Sequence, residues 1–283
     1  CIRDRLNVRR TIGISGFSTS WGGFAVFIAA VSLPLVVAPT TRSQGFGTRH
    51  RIAAIAIFLF ALVNIAFSGS RAAFVALAVL LIVQMVVGLW AWRASLGATL
   101  RTLAMFFAMV VGFAVFAADR ILFMLFRFAA LLDSGGGSRS EQISIGLGLL
   151  DSWPAWLNGI SNVVQREFGV PYGIEVEPVY LLVNYGVVGA LLRYGLLLLV
   201  IFAALRVVRS VSIWAQLVGV ATFNAIAAYL AFSVGYFFYQ EPVAGVAPWA
   251  LFGLCVGAYE RHRAASLTID VDSVPLTASV APS

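Results

Sequence analysis

Lysine is absent from this chain of 283 residues, so every one of its 19 basic side chains is an arginine. A nucleotide-binding loop that closes on Gly-Lys cannot form without lysine, which sets aside ATP-driven transport within the chain. Histidine is almost as scarce: His50 and His262 are the two present, each beside arginines. The only cysteines, Cys1 and Cys255, stand at the first residue and inside an apolar run, so neither a disulfide framework nor a zinc site has support. Charge of either sign is thin, at 11% of residues where soluble domains carry about 25%.

What fills the space is apolar. Hydrophobic residues make up 61% of the chain, and the mean hydropathy is +0.95. Runs of about 18 or more apolar residues recur, each long enough to cross a ~30 Å hydrocarbon layer as a helix. The runs are continuous rather than alternating, which disfavours a β-barrel. The fold class expected is therefore an all-α polytopic membrane protein. The runs predict seven spans, over 21–39, 52–68, 72–92, 102–118, 185–206, 212–235 and 243–259.

The arginines orient these spans. Arg42, Arg49 and Arg51, then Arg93 and Arg101, then Arg206 and Arg209, and finally Arg261 and Arg263 fall in connections that alternate correctly for one side. The positive-inside rule makes that side cytoplasmic. Both histidines fall there too. Arg71, the segment 119–178 and the turn at Tyr236–Pro242 go to the other side. In segment 119–178 the acids Asp119, Asp133, Glu141, Asp151, Glu167, Glu175 and Glu177 exceed Arg120, Arg127, Arg139 and Arg166, as suits an outer loop. The net charge of +7 arises from arginines scattered between apolar runs, so no nucleic-acid partner is expected. CIRDRLNVRR at the start resists the rule, because parity puts Arg3, Arg5, Arg9 and Arg10 outside. Either helices upstream set its orientation, or these arginines meet an anion. The chain opens on Cys1 rather than Met and shows no signal peptide, and it is expected to be the C-terminal part of a longer protein.

The organisation expected is an outer N-terminal segment over 1–20, four spans over 21–118, an outer loop subdomain over 119–178, three spans over 179–259 and a disordered polar tail over 260–283. Within the loop, DSGGGS at Asp133–Ser138 is a flexible break, and Ser138 with Glu141 has the S-x-x-E spacing that starts a helix. What remains for chemistry on the outer side is arginine, carboxylate, tyrosine and serine. That set suits a carboxylate base and an anionic leaving group, as in glycosyl or phosphoryl transfer.

The order of these features resembles the O-antigen ligase and polymerase family of bacterial membrane proteins. RRTIGISGFSTSWGGFAVFIA at Arg9–Ala29 is similar to the family's glycine-containing opening of a helix, and FSGSRAAFVAL at Phe67–Leu77 to its Ser-Arg before a span. GGSRSEQI at Gly136–Ile143 resembles the arginine that opens the large periplasmic loop, and SWPAWLNGIS at Ser152–Ser161 a Pro…Gly stretch within it. EPVYLLVNYGVVGALLRYG at Glu177–Gly195 resembles the closing motif with its Gly-x-x-Gly. Ligases of the family carry histidine and asparagine where this chain has Glu177 and Pro178, so the likeness leans to the polymerase branch.

The resemblance implies an inverting, metal-independent glycosyltransferase in the bacterial inner membrane, facing the periplasm and needing no cofactor. Its substrate would be an undecaprenyl-diphosphate-linked glycan in the lipid bilayer. A chain-length regulator or other envelope polysaccharide assembly proteins would be further partners. It implies Glu177, Arg139 and Arg71 as catalytic residues. Arg71, Arg139, Arg9, Arg10 and Arg193 would contact the lipid diphosphate, and Tyr180, Glu141 and Glu175 the glycan, with no metal ligand. Other readings stand beside these. Arg71 also reads as an interfacial arginine marking a helix end, Tyr180 as a membrane-interface aromatic, and Arg193 as a deep charge that faces a polar cavity or pairs within the bundle. Asn64, Gln84 and Asn224 read as hydrogen-bond partners between helices. An O-antigen ligase, or a non-enzymatic polysaccharide transporter or flippase, is the alternative function.

The charge pattern makes a direct prediction. In a Cys1→Ser, Cys255→Ser background, single cysteines replacing Ser43 or Ser95 will react with a membrane-impermeant maleimide only after permeabilisation, and one replacing Ser134 will react in intact cells. The reverse pattern would overturn the topology.

Overall fold

The computed structural model describes residues 18–38, 46–92, 138–160, 174, 176–236 and 242–272, with scattered residues between 100 and 126. Among the described residues no strand forms. In chain order the helices are α1 (Ser18–Val37), α2 (Thr48–Ser68), α3 (Arg71–Ala91), α4 (Ser138–Gly148), α5 (Trp153–Asn158), α6 (Glu177–Val207), α7 (Ile213–Ser233) and α8 (Pro242–Asp272). Five of them, α1, α2, α3, α6 and α7, are long and apolar enough to cross a membrane. The chain is a helical membrane protein. Of the other two expected spans, 102–118 is described in part, with 111–116 helical, and 243–259 falls within α8.

The outward faces fit lipid. Leu191, Leu192, Leu198 and Leu199 on α6 stand exposed, as do Ile57, Leu59 and Phe60 on α2. In water such stripes would mark a binding surface or an aggregation hazard; against hydrocarbon they are the ordinary solvent contact. The buried side is built around α7, which packs on α1, α3, α6 and α8. Leu33, Phe58, Ile65, Leu80, Ile226 and Phe232 form its centre. Polar side chains stitch the same faces together, as expected of Asn64, Gln84 and Asn224. Asn224 Nδ2 donates to Gln84 Oε1 at 2.6 Å and to the Ala30 carbonyl at 3.4 Å, joining α7 to α3 and α1. Trp21 Nε1 donates to Asn64 Oδ1 at 2.8 Å, joining α1 to α2. Each bond holds its helices in one register.

The two ends of the bundle differ. At one end Phe46 and His50 meet Trp214 edge-on, and the Arg209 guanidinium lies 5.2 Å from the centre of the Trp90 ring. The start of α2, with Arg49 and Arg51, and the end of α6, with Arg206 and the following Arg209, thus gather there. At the other end lie the start of α1, the end of α2, the start of α3 and the end of α7, since Trp21 reaches Asn64 and Gly23 shares a pocket with Tyr229 and Phe232. Gly69, left-handed at φ 61°, ends α2. Ser70 then caps α3 by accepting the Ala73 N–H at 3.3 Å, which puts Arg71 in its first turn. Ser68 Oγ accepts the Ser70 N–H at 3.2 Å and donates to the Ile65 carbonyl at 2.8 Å, so the turn is internally bonded.

α6 is not one straight rod. Gly186 sits inside it at φ 64° and ψ −169°, a conformation open almost only to glycine. The break separates an arm, residues 177–185, from the stretch that follows to Val207. A methyl group on Gly186 would lie 2.2 Å from the Leu157 carbonyl oxygen, and one on Gly159 would lie 2.4 Å from the Asn184 carbonyl carbon. Two glycines therefore let the end of α5 touch the break backbone to backbone. Ile160 N–H donates to the Val183 carbonyl at 2.7 Å, a bond from outside the helix at the turn where it breaks. A second, smaller core forms around the arm from Leu150, Ala155, Ile174, Val179, Tyr180 and Val183, and α4 packs against it. At the far end of the chain, the tail expected to be disordered from residue 260 continues α8 as helix to Asp272. It holds neither glycine nor proline until Pro275, so nothing in the sequence stops the helix earlier.

Gly186→Ala combines a forbidden φ with a backbone clash. It should cost about 2–3 kcal/mol and lower the melting temperature of the detergent-solubilised protein. Gly195→Ala, nine residues on, meets open space and should leave it unchanged or slightly raised. Equal melting temperatures for the two variants would contradict the backbone-contact account.

Candidate functional site

Glu177 opens α6, followed by Pro178 in the first turn, where a missing N–H costs nothing. A carboxylate there also complements the positive end of the helix. Its side chain is 0% exposed. Tyr229 Oη donates to Glu177 Oε1, and Arg193 Nη2 lies 3.6 Å from the same oxygen. Arg193 Nη2 in turn donates to Tyr229 Oη at 2.7 Å, so phenol, guanidinium and carboxylate form a closed triangle. The guanidinium also lies 4.6 Å from the Trp249 ring centre and 5.3 Å from that of Tyr229. The site thus draws on α6 twice, on α7 and on α8.

Helix geometry explains why α6 must break. In a continuous helix, residues sixteen apart stand about 24 Å apart along the axis and on opposite faces. Glutamate and arginine side chains together span only about half that distance. The contact between Glu177 and Arg193 exists because the arm folds back at Gly186. Burial of both charges in an apolar bundle is expensive unless they are paired, and here they face each other with the Tyr229 hydroxyl bonded to both. Removing either leaves the other as a buried, uncompensated charge.

Of the two readings open for Arg193, pairing within the bundle is the one observed. Tyr180 is buried in the second core, and its carbonyl accepts Asn184 Nδ2 at 2.8 Å. Arg71 is half-buried in the first turn of α3, at the same end of the bundle as the triangle. Arg139 lies in the first turn of α4, with its side chain outside the described residues, and Glu141 is exposed on the same helix. α3 packs on α1, α2 and α7, whereas α4 packs on α6, so Arg71 and Arg139 are carried by different layers. Arg9, Arg10 and Glu175 lie outside the described residues. Sequence reasoning missed Tyr229 and Trp249. A tyrosine four residues short of the end of a span was the one available signal, because a buried phenol seeks a polar partner. Among the described residues, no three His, Cys, Asp or Glu side chains gather as a metal site.

Chemically, the triangle is a cation fixed by aromatic rings with a carboxylate held on one edge. Comparisons with protein-family models, with curated proteins and with solved structures find no match to this chain.

A double-mutant cycle tests the triangle. Glu177→Met alone and Arg193→Met alone should each destabilise the protein by about 3–5 kcal/mol, read as a lower melting temperature in detergent. Glu177→Met combined with Arg193→Met should recover most of the loss, since both charges are then gone. Additive losses in the double variant would show that the two residues do not act as a pair.

Proposed function

We propose that the chain carries out polymerase-type glycosyl transfer on undecaprenyl-diphosphate-linked repeat units at the outer face of the bacterial inner membrane. One observation supports the reading above the others. Glu177, standing where the ligases that this sequence resembles carry histidine, is fully buried against Arg193 at the end of the bundle where Arg71 lies. A loop acid with no task has no reason to accept the cost of that burial.

In this reading an acceptor sugar hydroxyl gives its proton to the Glu177 carboxylate and attacks the anomeric carbon of the donor glycan with inversion. The bond to the lipid diphosphate breaks and the diphosphate leaves. Arg71, Arg139 and Arg193 neutralise the charge that develops on it, the planar guanidinium matching two phosphate oxygens at once. The bond already made to the lipid supplies the energy, so no nucleotide sugar is needed.

A second reading has its own support. A helix broken inside the bundle beside a buried charge pair is the arrangement by which many transporters hold their cargo, and Gly186 with Glu177–Arg193 has that form. A transporter or flippase for the same lipid-linked glycan would leave its cargo chemically unchanged.

Glycan analysis separates the readings. In a deletion strain complemented with Arg71→Ala, Arg139→Ala or Glu177→Gln, polymerisation should fall, by about 10²- to 10³-fold for the charge-stabilising arginines and about 10²- to 10⁴-fold for the general base. Single-repeat lipid-linked glycan should accumulate at the outer face. Unligated long polymer would mean a ligase, and glycan retained at the inner face a flippase. Normal glycan in all three variants would sink the site assignment.

A further inference from the structure

Glu177 as it stands is badly placed to act as a base. Its carboxylate is sealed at 0% exposure, and the charge that would take a proton is already shared with Tyr229 and Arg193. The two members of the pair are not equally enclosed: the Arg193 side chain keeps 18% exposure, so the accessible edge of the pair belongs to the cation. Their settings differ too. Arg193 lies against the rings of Tyr229 and Trp249, and the Tyr229 hydroxyl bonds both members of the pair. Glu177 rides on the arm beyond Gly186 and meets Arg193 through one nitrogen at 3.6 Å, longer than a hydrogen bond and far from the two-point match that guanidinium makes with carboxylate or phosphate.

We infer that Arg193 is a phosphate-binding site whose place Glu177 occupies when no ligand is present, and that a diphosphate taking that place releases Glu177 and loosens the 177–185 arm about Gly186. The inference deepens the glycosyl-transfer reading and rests on it for the ligand, a prenyl diphosphate. A diphosphate brings more charge and more acceptor oxygens than a carboxylate, so it competes for the guanidinium on better terms. The exchange gives the reaction an order. Without donor, Glu177 is neutralised and shut away from water; with donor bound, the arm that carries it is free to bring the carboxylate to the acceptor hydroxyl whose proton it takes. Gly186 is the point that bends, because its left-handed conformation already interrupts the helix.

Amide hydrogen exchange on the full chain in detergent tests this, with farnesyl diphosphate, inorganic pyrophosphate and farnesol as separate probes. Farnesyl diphosphate should speed exchange over residues 177–185 about tenfold, within the usual range of coupling between a ligand and a two-state element. Farnesol should do nothing. If pyrophosphate alone matches farnesyl diphosphate, the site recognises the anion regardless of its lipid, which still supports the inference. Glu177→Gln should show the fast exchange without any ligand, and Arg193→Gln should show no response to one. Exchange in α7 away from Tyr229 monitors whether each variant is folded, and Arg193→Lys, which keeps the charge, should retain part of the response. An arm unmoved by farnesyl diphosphate, an equal response to farnesol, or an undiminished response in folded Arg193→Gln would overturn the proposal. The two readings fail separately. Diphosphate-driven opening in a protein that restores no polymer removes the enzyme and keeps the site. Polymerisation with a still arm does the reverse.

Discussion

A carboxylate sealed away from water stays charged only if a cation stays with it, and the contact between Glu177 and Arg193 imposes that condition on the whole outer half of α6. The chain cannot meet it with a straight helix. It meets it by interrupting α6 at Gly186 and folding nine residues back onto the bundle. The interruption would leave backbone groups without partners in a medium that offers none, so α5 is brought against the break and Ile160 bonds Val183. That approach in turn requires two glycines, because any side chain at 159 or 186 would overlap the opposing backbone. One ion pair thus accounts for the break, the position of α5 and the small core that covers the arm.

The rest of the bundle follows the same logic at lower cost. Polar residues inside it occur where they have a partner on another helix, as Asn224 does on Gln84 and Trp21 on Asn64. Arginines sort to the ends, where Arg209 lies over Trp90 and Arg206 over Phe202. Apolar stems and rings cover the guanidinium planes while the charge stays near the boundary.

Much of this was legible beforehand, and the reasons are physical. Continuous apolar runs fix where spanning helices lie, so α1, α2, α3 and α7 fall close to the expected segments. Ser70 sits one residue before an apolar helix, and its role as cap follows from that position. Arg193 stands too far into its span to be an end-marking charge, so a partner inside the bundle was one of two ways open to it. The partner's identity was not legible. Glu177 and Arg193 read as a loop acid and a span cation because Gly-x-x-Gly at Gly186–Gly189 resembles the start of a helix rather than a fold in one. The burial of Tyr180 was hidden for the same reason, since nothing in its neighbours announces the core that α4 and α5 close over it. Trp249 carries no local signal, its role being set by the distant Arg193. The geometry around Glu177 comes from the fold alone.

The guanidinium of Arg193 is completed by α8, the last helix described, and this bears on how the protein is made. A chain emerging from N- to C-terminus produces Glu177 first, Arg193 within the same helix, Tyr229 a helix later and Trp249 later still. Until α7 and α8 are in place the carboxylate has no enclosed cation to join, and it must wait at the water boundary rather than enter the apolar layer. Burial of the arm therefore waits on the insertion of α8, because the pocket that receives the carboxylate is complete only then.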